Sequence, residues 1–476
     1  MDVIHLSAEC YPVAKVGGLG DVVGALPKYL RSAGINASVV LPYYDRKFVQ
    51  ENEFYEVYSS VATAGGKTFE YKVLKEKTGK LGFDLYLIYI HGLLDRKEIY
   101  SYPDEIKQFI SYQVSFLDWI NQSEKKPDII HCHDHHTGLV PFLMSHSVLY
   151  RDLAMIPTVC TIHNGQYQGW LGWDKVAYLP PVDLDKAGLL DWNNCINSLA
   201  ASVKCCWSFT TVSPTYLEEL SINSNGLEKL FEMEKGKGIG IINGIDTDVW
   251  NPENDPMVFQ NYTAETVDEG KKENKKRLCE QFGLDETKPL IAFIGRLVGE
   301  KGAELLPELI DSCLKSYAGK VSFIILGSGE AEVETELQKT ALKHKKHCGL
   351  YIGYDEELSH RIYAGADFLI MPSRVEPCGL NQLYAVRYGT MPVVHKTGGL
   401  SDTVIDLSDP RGYGITFDKL ETGEMVKAIG RALETYAGSN QMASFRKKMM
   451  ALDFSWDRSA KEYINLYKRL IKLHAI

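Results

Sequence analysis

The sequence of 476 residues lacks an apolar run long enough to cross a bilayer, a CxxC pair among its ten cysteines, and an excess of basic residues. A spanning helix needs about 20 consecutive apolar residues, so we expect no membrane partner. The scattered cysteines favour reduced thiols in the cytoplasm, and the first residues resemble a strand rather than a secretory signal. A net charge of −10 argues against nucleic acid as a partner.

The chain also lacks short repeats and low-complexity tracts, and its strands alternate with helices throughout. This length exceeds what one hydrophobic core normally supports, so we predict two domains. The alternation is typical of an α/β fold with parallel sheets covered on both faces. Helices are predicted at 104–121 and 198–207, and the polar segment 243–275 is predicted to be a linker. The predicted strands are residues 3–6, 37–41, 85–90, 128–131, 158–162, 209–212, 290–294, 321–326, 349–352, 367–371 and 391–394.

A glycine-rich loop follows the first predicted strand. It contains Lys15, Gly17, Gly18, Gly20 and Asp21. Glycines allow a tight turn and a close approach of the backbone to a ligand. The loop is not a Walker A motif, because its lysine precedes the glycines, and the glycine spacing does not match Gly-x-Gly-x-x-Gly. An ordinary turn between a strand and a helix is the alternative interpretation.

A second loop of the same kind carries two cations, Arg296 and Lys301, between a strand ending at Gly295 and a helix beginning near Gly302. Arginine offers a planar fork of donors and lysine a mobile point charge, which together suit two neighbouring phosphoryl groups. Exposed loop cations are also common without any function, and that alternative stays open.

A third loop contains Glu376 and the segment 378–380, between the buried strand 367–371 and a helical pattern that starts at Gly379. The N-terminus of a helix carries unpaired N–H groups and favours anionic ligand groups. The carboxylate therefore suits sugar hydroxyls, and the N–H groups suit a phosphate. The alternative is a simple turn before Pro377.

The run from His131 to His136 contains four histidines and one aspartate. It differs from the metal-binding pattern His-x-His-x-Asp-His because its acidic residue comes one position early. Without a clean ligand spacing we expect no catalytic zinc here.

These loops, together with the segments 133–134, 161–164, 243–246 and 397–400, closely resemble the family of bacterial glycogen synthases and plant starch synthases. The resemblance runs from Lys15 to the segment 454–460. It implies the GT-B fold, which consists of two Rossmann-like domains with the site in the cleft between them. The implied boundaries are an N-terminal acceptor domain at 1–245, a C-terminal nucleotide-sugar domain at 246–455, and a final helix at 456–476 that packs back on the N-terminal domain.

The resemblance implies transfer of glucose from a nucleotide sugar to the 4-hydroxyl end of an α-1,4-glucan with retention of configuration. ADP-glucose is favoured over UDP-glucose as the donor, and no metal or other cofactor is implied. The implied catalytic residues are Lys15, His163, Arg296, Lys301 and Glu376. The implied substrate-binding residues are Gly17, Gly18, Asp21, Asp134, Asn164, Asn243, Tyr354, Cys378, Gly379, Leu380, Thr397 and Gly398.

Departures from the family pattern concentrate on the acceptor side. His135 stands where the family usually has tryptophan, the segment 165–169 differs, and the loop 227–240 with its Lys-Gly-Lys-Gly sequence is atypical. Acceptor preference is therefore the weakest implication, and nothing in the sequence indicates the oligomeric state. A GT-B enzyme of other specificity and a non-catalytic glucan-binding protein stay open. A glucan phosphorylase would need a pyridoxal phosphate lysine and a much longer chain.

Overall fold

Two large, mainly parallel sheets organise the chain, one in each of two structural units. The computed structural model describes residues 1–474. The N-terminal unit contains Met1–Gly244 and the segment that begins at Trp456, and the C-terminal unit contains Ile245–Ser455. The predicted α/β class is confirmed, and each of the eleven predicted strands corresponds to a strand of the structure.

The N-terminal unit is built on a nine-stranded sheet and a small three-stranded sheet. The large sheet has the order β12-β11-β7-β6-β1-β2-β5-β4-β3, and the small one has the order β8-β10-β9. The twelve strands are β1 Asp2–Leu6, β2 Asn36–Pro42, β3 Phe54–Ala64, β4 Lys67–Glu76, β5 Asp84–Tyr89, β6 Ile129–His133, β7 Thr158–Ile162, β8 Trp170–Leu171, β9 Asp191–Trp192, β10 Cys195–Asn197, β11 Ser208–Thr211 and β12 Gly238–Gly240.

The order of the large sheet reverses beside β1, which pairs in parallel with β2 on one side and with β6 on the other. In open α/β sheets, ligands bind beyond the carboxyl ends of the strands at such a switch point. Seven α-helices between residues 18 and 234 accompany these strands. They are α1 Gly18–Ser32, α2 Lys47–Gln50, α3 Glu105–Gln122, α4 Val140–His146, α5 Ser198–Cys205, α6 Pro214–Leu220 and α7 Glu228–Glu234.

The C-terminal unit has a six-stranded, fully parallel sheet with the order β15-β14-β13-β16-β17-β18. Its switch point lies between β13 and β16. The strands are β13 Leu290–Ile294, β14 Ser322–Gly327, β15 Cys348–Ile352, β16 Phe368–Met371, β17 Met391–His395 and β18 Ile415–Phe417. The helices are α8 Val267–Phe282, α9 Leu306–Ser316, α10 Ala331–Lys343, α11 Glu356–Gly365, α12 Asn381–Arg387, α13 Gly398–Thr403, α14 Thr422–Ala437 and α15 Ser439–Met450.

Two expectations about local structure were wrong. The segment 243–275 is not a linker throughout, because α8 begins at Val267 and buries Leu278 and Cys279 in the core of the C-terminal unit. The segment 227–240 is not a loop, because it contains α7 and the edge strand β12. Polar composition predicted irregular structure in both places, but tertiary packing of a few apolar side chains decides the outcome.

The last helix, α16 Trp456–His474, belongs to the N-terminal unit. Its buried Trp456, Tyr463 and Tyr467 pack in one hydrophobic core with Val22 and Leu26 of α1. The Tyr467 hydroxyl also reaches His131 on β6, at 2.7 Å from Nδ1. The helix therefore contacts both the helical layer and the central strands of the sheet.

All ten cysteines are free thiols. Eight of them are buried, and Cys195 and Cys205 are partly exposed. No helix within residues 1–474 combines the length and the hydropathy that a membrane-spanning segment requires.

Candidate active site

The implied site residues of the N-terminal unit follow the carboxyl ends of four parallel strands. Lys15, Gly17, Gly18 and Asp21 come after β1, Asp134 comes after β6, His163 and Asn164 come after β7, and Asn243 comes after β12. Because β6, β1 and β7 are close neighbours in the sheet, the structure places the first three groups at one edge. Asn243 is buried, and its Oδ1 has no hydrogen-bond partner among residues 1–474.

The Lys15 loop is held by contacts within itself. The Lys15 ammonium donates to Asp21 Oδ1 at 2.6 Å, so Asp21 fixes the direction of the lysine side chain. Gly17 precedes the first residue of α1 in an extended conformation. A Cβ atom built at Gly17 or Gly18 would meet no atom within 4 Å. The glycines therefore leave open space at the start of α1.

Glu9 is a site residue that the sequence analysis missed. Its Oε2 accepts from the backbone N–H groups of Val16 and Gly17, at 2.6 and 2.9 Å. Its Oε1 accepts from the Tyr100 hydroxyl at 2.6 Å. The only signal in the sequence is its position, three residues after the end of β1. Glu9 therefore anchors the backbone of the Lys15 loop at Val16 and Gly17.

Asp134 has a positive φ of 55° with an extended ψ of −175°. A non-glycine residue in this region costs about 1–3 kcal/mol unless its surroundings hold it there. Here Oδ1 accepts from the backbone N–H of His163 at 2.7 Å, and the N–H of Asn164 is a further partner of the carboxylate. The turn after β6 is thus tied to the turn after β7.

Burial raises the pKa of Asp134 to about 7, although the backbone donors oppose this shift. In an unfolded chain the pKa is about 3.9. Between these two pKa values the folded protein binds more protons than the unfolded one. The contribution of the Asp134 carboxyl to the free energy of unfolding is therefore present at low pH and is lost as the pH rises.

We therefore expect the free energy of unfolding of the wild type to fall, relative to Asp134→Asn, as the pH rises from about 4 to about 7. The slope of this difference is at most about 1.4 kcal/mol per pH unit, since one proton is involved. Urea unfolding of both proteins across this range measures it. A difference that stays constant with pH would contradict the buried, protonated carboxyl.

A buried series of histidines lies beneath His163. His163 Nε2 contacts His133 Nδ1 at 3.0 Å, and His133 Nε2 contacts His5 Nδ1 at 3.0 Å. Burial lowers the pKa of His163 and of His5 to about 3, and the pKa of His133 also lies well below its usual range. These rings are therefore neutral near pH 7.

The C-terminal unit brings Lys301 and Glu376 together. The Lys301 ammonium donates to both carboxylate oxygens of Glu376, at 2.7 and 2.8 Å. The side chains are 20% and 9% exposed, so this is a largely buried ion pair. Ser373 donates a further hydrogen bond to Glu376 Oε2 at 2.8 Å. Lys301 and Glu376 are 75 positions apart and were expected to bind different groups of the ligand, but they form one ion pair.

The backbone around Lys301 requires glycine at position 302. Gly302 has φ of 67°, and a Cβ atom there would lie 2.0 Å from the carbonyl oxygen of Pro372. Lys301 ends a single 3-10 turn, Gly299–Lys301, and the following segment is pressed against the end of β16. This close approach places the lysine beside Glu376.

Arg296 is not part of this pair. Its side chain is 59% exposed and has a long contact of 3.4 Å with Glu300. Tyr354 follows β15 and is 82% exposed. Both residues lie at the carboxyl edge of the sheet, since they follow β13 and β15.

The remaining implied residues of this unit surround the Glu376 turn. The N–H of Gly399 donates to the carbonyl of Glu376 at 3.0 Å, and the Thr397 hydroxyl donates to the carbonyl of Arg374 at 3.3 Å. A Cβ atom at Gly399 would lie 2.1 Å from the carbonyl oxygen of Cys378. The first turn of α13, with Gly398, therefore packs directly on the segment 378–380. Leu380 precedes α12, so that helix begins two residues later than predicted.

Comparisons with known proteins identify the family of the chain. A family model described as the starch synthase catalytic domain matches residues 2–233, and one described as glycosyl transferases group 1 matches residues 274–449. A glycogen synthase from Flavobacterium johnsoniae is 51% identical over 472 residues, which cover 99% of this chain and 100% of that protein. A glycogen synthase from Streptococcus uberis is 36% identical over 484 residues, 99% of each chain.

Solved structures show the same relationship. The catalytic domain of starch synthase IV from Arabidopsis thaliana, bound to ADP and acarbose, is 33% identical with a TM-score of 0.89, and 99% of each chain is covered. A sucrose-phosphate synthase from Thermosynechococcus elongatus is 17% identical with a TM-score of 0.62, which shows a shared fold alone. The full-length similarity and the arrangement of the strand-end loops show that the chain belongs to the family of bacterial glycogen synthases and plant starch synthases, which are nucleotide-sugar glucosyltransferases with the GT-B fold.

Proposed function

We propose that this enzyme transfers glucose from ADP-glucose to the 4-hydroxyl at the non-reducing end of an α-1,4-glucan, with retention of the α configuration. The observation that carries the proposal is the buried pair of Lys301 and Glu376 at the carboxyl ends of β13 and β16. It combines a cation for a diphosphate with a carboxylate for sugar hydroxyls within one hydrogen-bonded group. The ADP-bound starch synthase of the same family supports the choice of nucleotide.

Lys301 can bind Glu376 and the donor diphosphate at the same time. An ammonium group has three N–H donors, and the bonds to Glu376 use two of them. We assign the third to an oxygen of the donor diphosphate and assign Arg296 to the neighbouring phosphoryl group, because its exposed guanidinium is able to move toward a ligand. The backbone N–H groups of Cys378, Gly379 and Leu380 are assigned to phosphate or sugar oxygens.

Glu376 is assigned to orientation of the sugar rather than to nucleophilic attack. Retaining glycosidases use a second carboxylate as a nucleophile. Here both oxygens of Glu376 are already engaged by Lys301, and Ser373 holds one of them as well. We therefore favour attack of the acceptor on the same face of the sugar, with the departing phosphate taking the acceptor proton. A trapped glucosyl-enzyme adduct would overturn this assignment.

The N-terminal unit is assigned to the acceptor and to part of the donor. Lys15, positioned by Asp21, is assigned to donor phosphate, while Asp134, His163, Asn164 and Asn243 are assigned to glucose and the glucan end. Since His163 is neutral, we assign stabilisation of the sugar cation to its backbone carbonyl and not to its ring. We assign no metal ion to these steps, so turnover is expected to persist in EDTA.

The product tests the proposal directly. Incubation of ADP-glucose with maltooligosaccharides is expected to lengthen them by single glucose units in α-1,4 linkage, which proton NMR identifies from the anomeric coupling. A β-anomeric product would contradict retention. Transfer of glucose to water or to another sugar would indicate a GT-B enzyme of other specificity. Absence of any transfer would indicate a non-catalytic glucan-binding protein.

The open space at Gly18 leads to a further prediction. Gly18→Ala is expected to leave the free energy of unfolding unchanged or slightly raised, because alanine favours helix and its Cβ meets no atom. If the donor approaches this backbone, the added methyl group costs about 1–3 kcal/mol of overpacking, or about 5- to 150-fold in kcat/KM. Gly423→Ala in the first turn of α14 is the matched control, since a Cβ there also meets no atom. Equal kinetics for both variants would contradict the assignment of Gly18.

A further inference from the structure

A second cluster of polar side chains lies beside the β6 turn and plays no part in the proposed reaction. It consists of Glu105 at the start of α3 and of His135 and His136 in the 3-10 turn after Asp134. One imidazole nitrogen of each histidine and one carboxylate oxygen of Glu105 all lie within 4.8 Å of one another. Two nitrogens and one oxygen are a typical ligand set for zinc.

Both histidines have an unsatisfied nitrogen. Nδ1 of His135 and Nδ1 of His136 are buried and have no hydrogen-bond partner among residues 1–474. Buried polar groups are nearly always paired, so two adjacent orphans need an explanation. The His135 ring is hydrogen-bonded to the Tyr167 backbone, and that bond involves the other nitrogen. Such a bond fixes the tautomer and leaves Nδ1 as a lone-pair donor.

The ligand positions are held by their surroundings. Tyr100 stacks on His136 with ring centroids 4.8 Å apart, and Phe109 contacts the same ring at 4.7 Å. The Glu105 carboxylate is anchored by the backbone N–H of Ser101 at 2.7 Å.

The buried histidines beneath His163 do not offer an equivalent site. His5, His131 and His133 also lie within 4.8 Å of one another. However, both nitrogens of His133 are engaged by His5 and His163, and both nitrogens of His131 are engaged by Tyr467 and Thr161. A metal ion there would have to break these contacts.

We propose that Glu105, His135 and His136 bind one divalent transition-metal ion, for which zinc is the best match. Three protein ligands leave a fourth position for water. Metal bonds of about 2.0–2.2 Å require the three ligand atoms to move closer together than the 4.8 Å within which they now lie. The ion joins the start of α3 to the turn that carries Asp134, and it takes no part in glucosyl transfer.

The test uses the full-length, untagged protein after treatment with EDTA and buffer exchange. Titration with Co²⁺ is expected to give the visible absorbance of a tetrahedral site at one ion per chain, and added Zn²⁺ is expected to displace it. His135→Trp, which introduces the residue usual in the family, and Glu105→Gln, which keeps an acceptor for Ser101, each remove one ligand. Loss of an outer-shell partner already weakens metal affinity 10–100-fold, so each variant is expected to bind at least about 100-fold more weakly.

Thermal unfolding provides the second readout, because an ion that binds only the folded state raises Tm. Zn²⁺ is expected to raise Tm of the wild type and of His91→Asn, a control for an exposed histidine of the same unit, but not Tm of His135→Trp or Glu105→Gln. Unchanged Tm values without Zn²⁺ show that the variants fold. Binding that persists in both variants, or no stoichiometric binding by the wild type, would overturn the proposal.

Discussion

Replacing Lys301 with alanine is expected to lower turnover with ADP-glucose and glucan on the order of 10²–10³-fold. Removal of one preorganised electrostatic donor costs about 2.7–4 kcal/mol in the transition state, and Lys301 is the cation nearest to Glu376. The variant is also expected to lose stability, because Glu376 is 9% exposed and keeps only Ser373 as a partner from this group. A buried acceptor left without its partner costs about 1–3 kcal/mol.

Arg296→Ala separates these two effects. It is expected to show a comparable loss of turnover with an unchanged free energy of unfolding, because the Arg296 side chain is 59% exposed and holds no buried group. Lys339→Ala, which removes an exposed lysine of α10, serves as the control with normal values of both. Steady-state kinetics and urea unfolding of the three variants measure this. Near-normal turnover in Lys301→Ala or Arg296→Ala would remove that residue from the diphosphate site.

Glu376→Gln is expected to lower turnover by a similar or greater factor, on the order of 10²–10³-fold. Glutamine has the same shape, but it loses the charge that holds Lys301 and one of the two strong acceptors for sugar hydroxyls. Ser373→Ala is the matched control. It removes the hydrogen bond to Glu376 Oε2 but keeps the carboxylate and both bonds to Lys301, so only a small loss is expected.

Glu376→Gln and the wild type together also distinguish orientation from nucleophilic attack. If Glu376 orients the sugar, Glu376→Gln retains α-configured product at a reduced rate, and mass spectrometry of the wild type detects no glucosylated Glu376. If the carboxylate is a nucleophile, the variant loses all transfer and a glucosyl adduct accumulates in the wild type with a slow acceptor. The second outcome would contradict the proposed mechanism.

Much of the framework could be predicted because it is local in the sequence. Most of the predicted parallel strands are short apolar runs, and the loops after β1, β6, β13 and β16 follow such runs, so these loops could be placed at the carboxyl edges of their sheets. The hairpin of β3 and β4 was missed, although Gly65 and Gly66 have the positive φ values of a tight hairpin turn.

The contacts that organise the site could not be predicted, because they join residues distant in sequence. Glu9 meets Tyr100 across 91 positions, and Lys301 meets Glu376 across 75. No local sequence pattern around either residue of a pair indicates its distant partner. From the sequence, Lys301 was expected to bind a phosphoryl group and Glu376 was expected to bind sugar hydroxyls. They form an ion pair because the folded sheet places β13 beside β16.

Release of nucleoside diphosphate from ADP-glucose and from UDP-glucose, each with and without glycogen and in the presence of EDTA, tests the central claim most directly. The account predicts release from ADP-glucose that depends on glycogen and persists in EDTA, with much slower release from UDP-glucose. Preferential release from UDP-glucose would contradict the proposed donor. No release from either nucleotide sugar would contradict the glucosyl transfer itself.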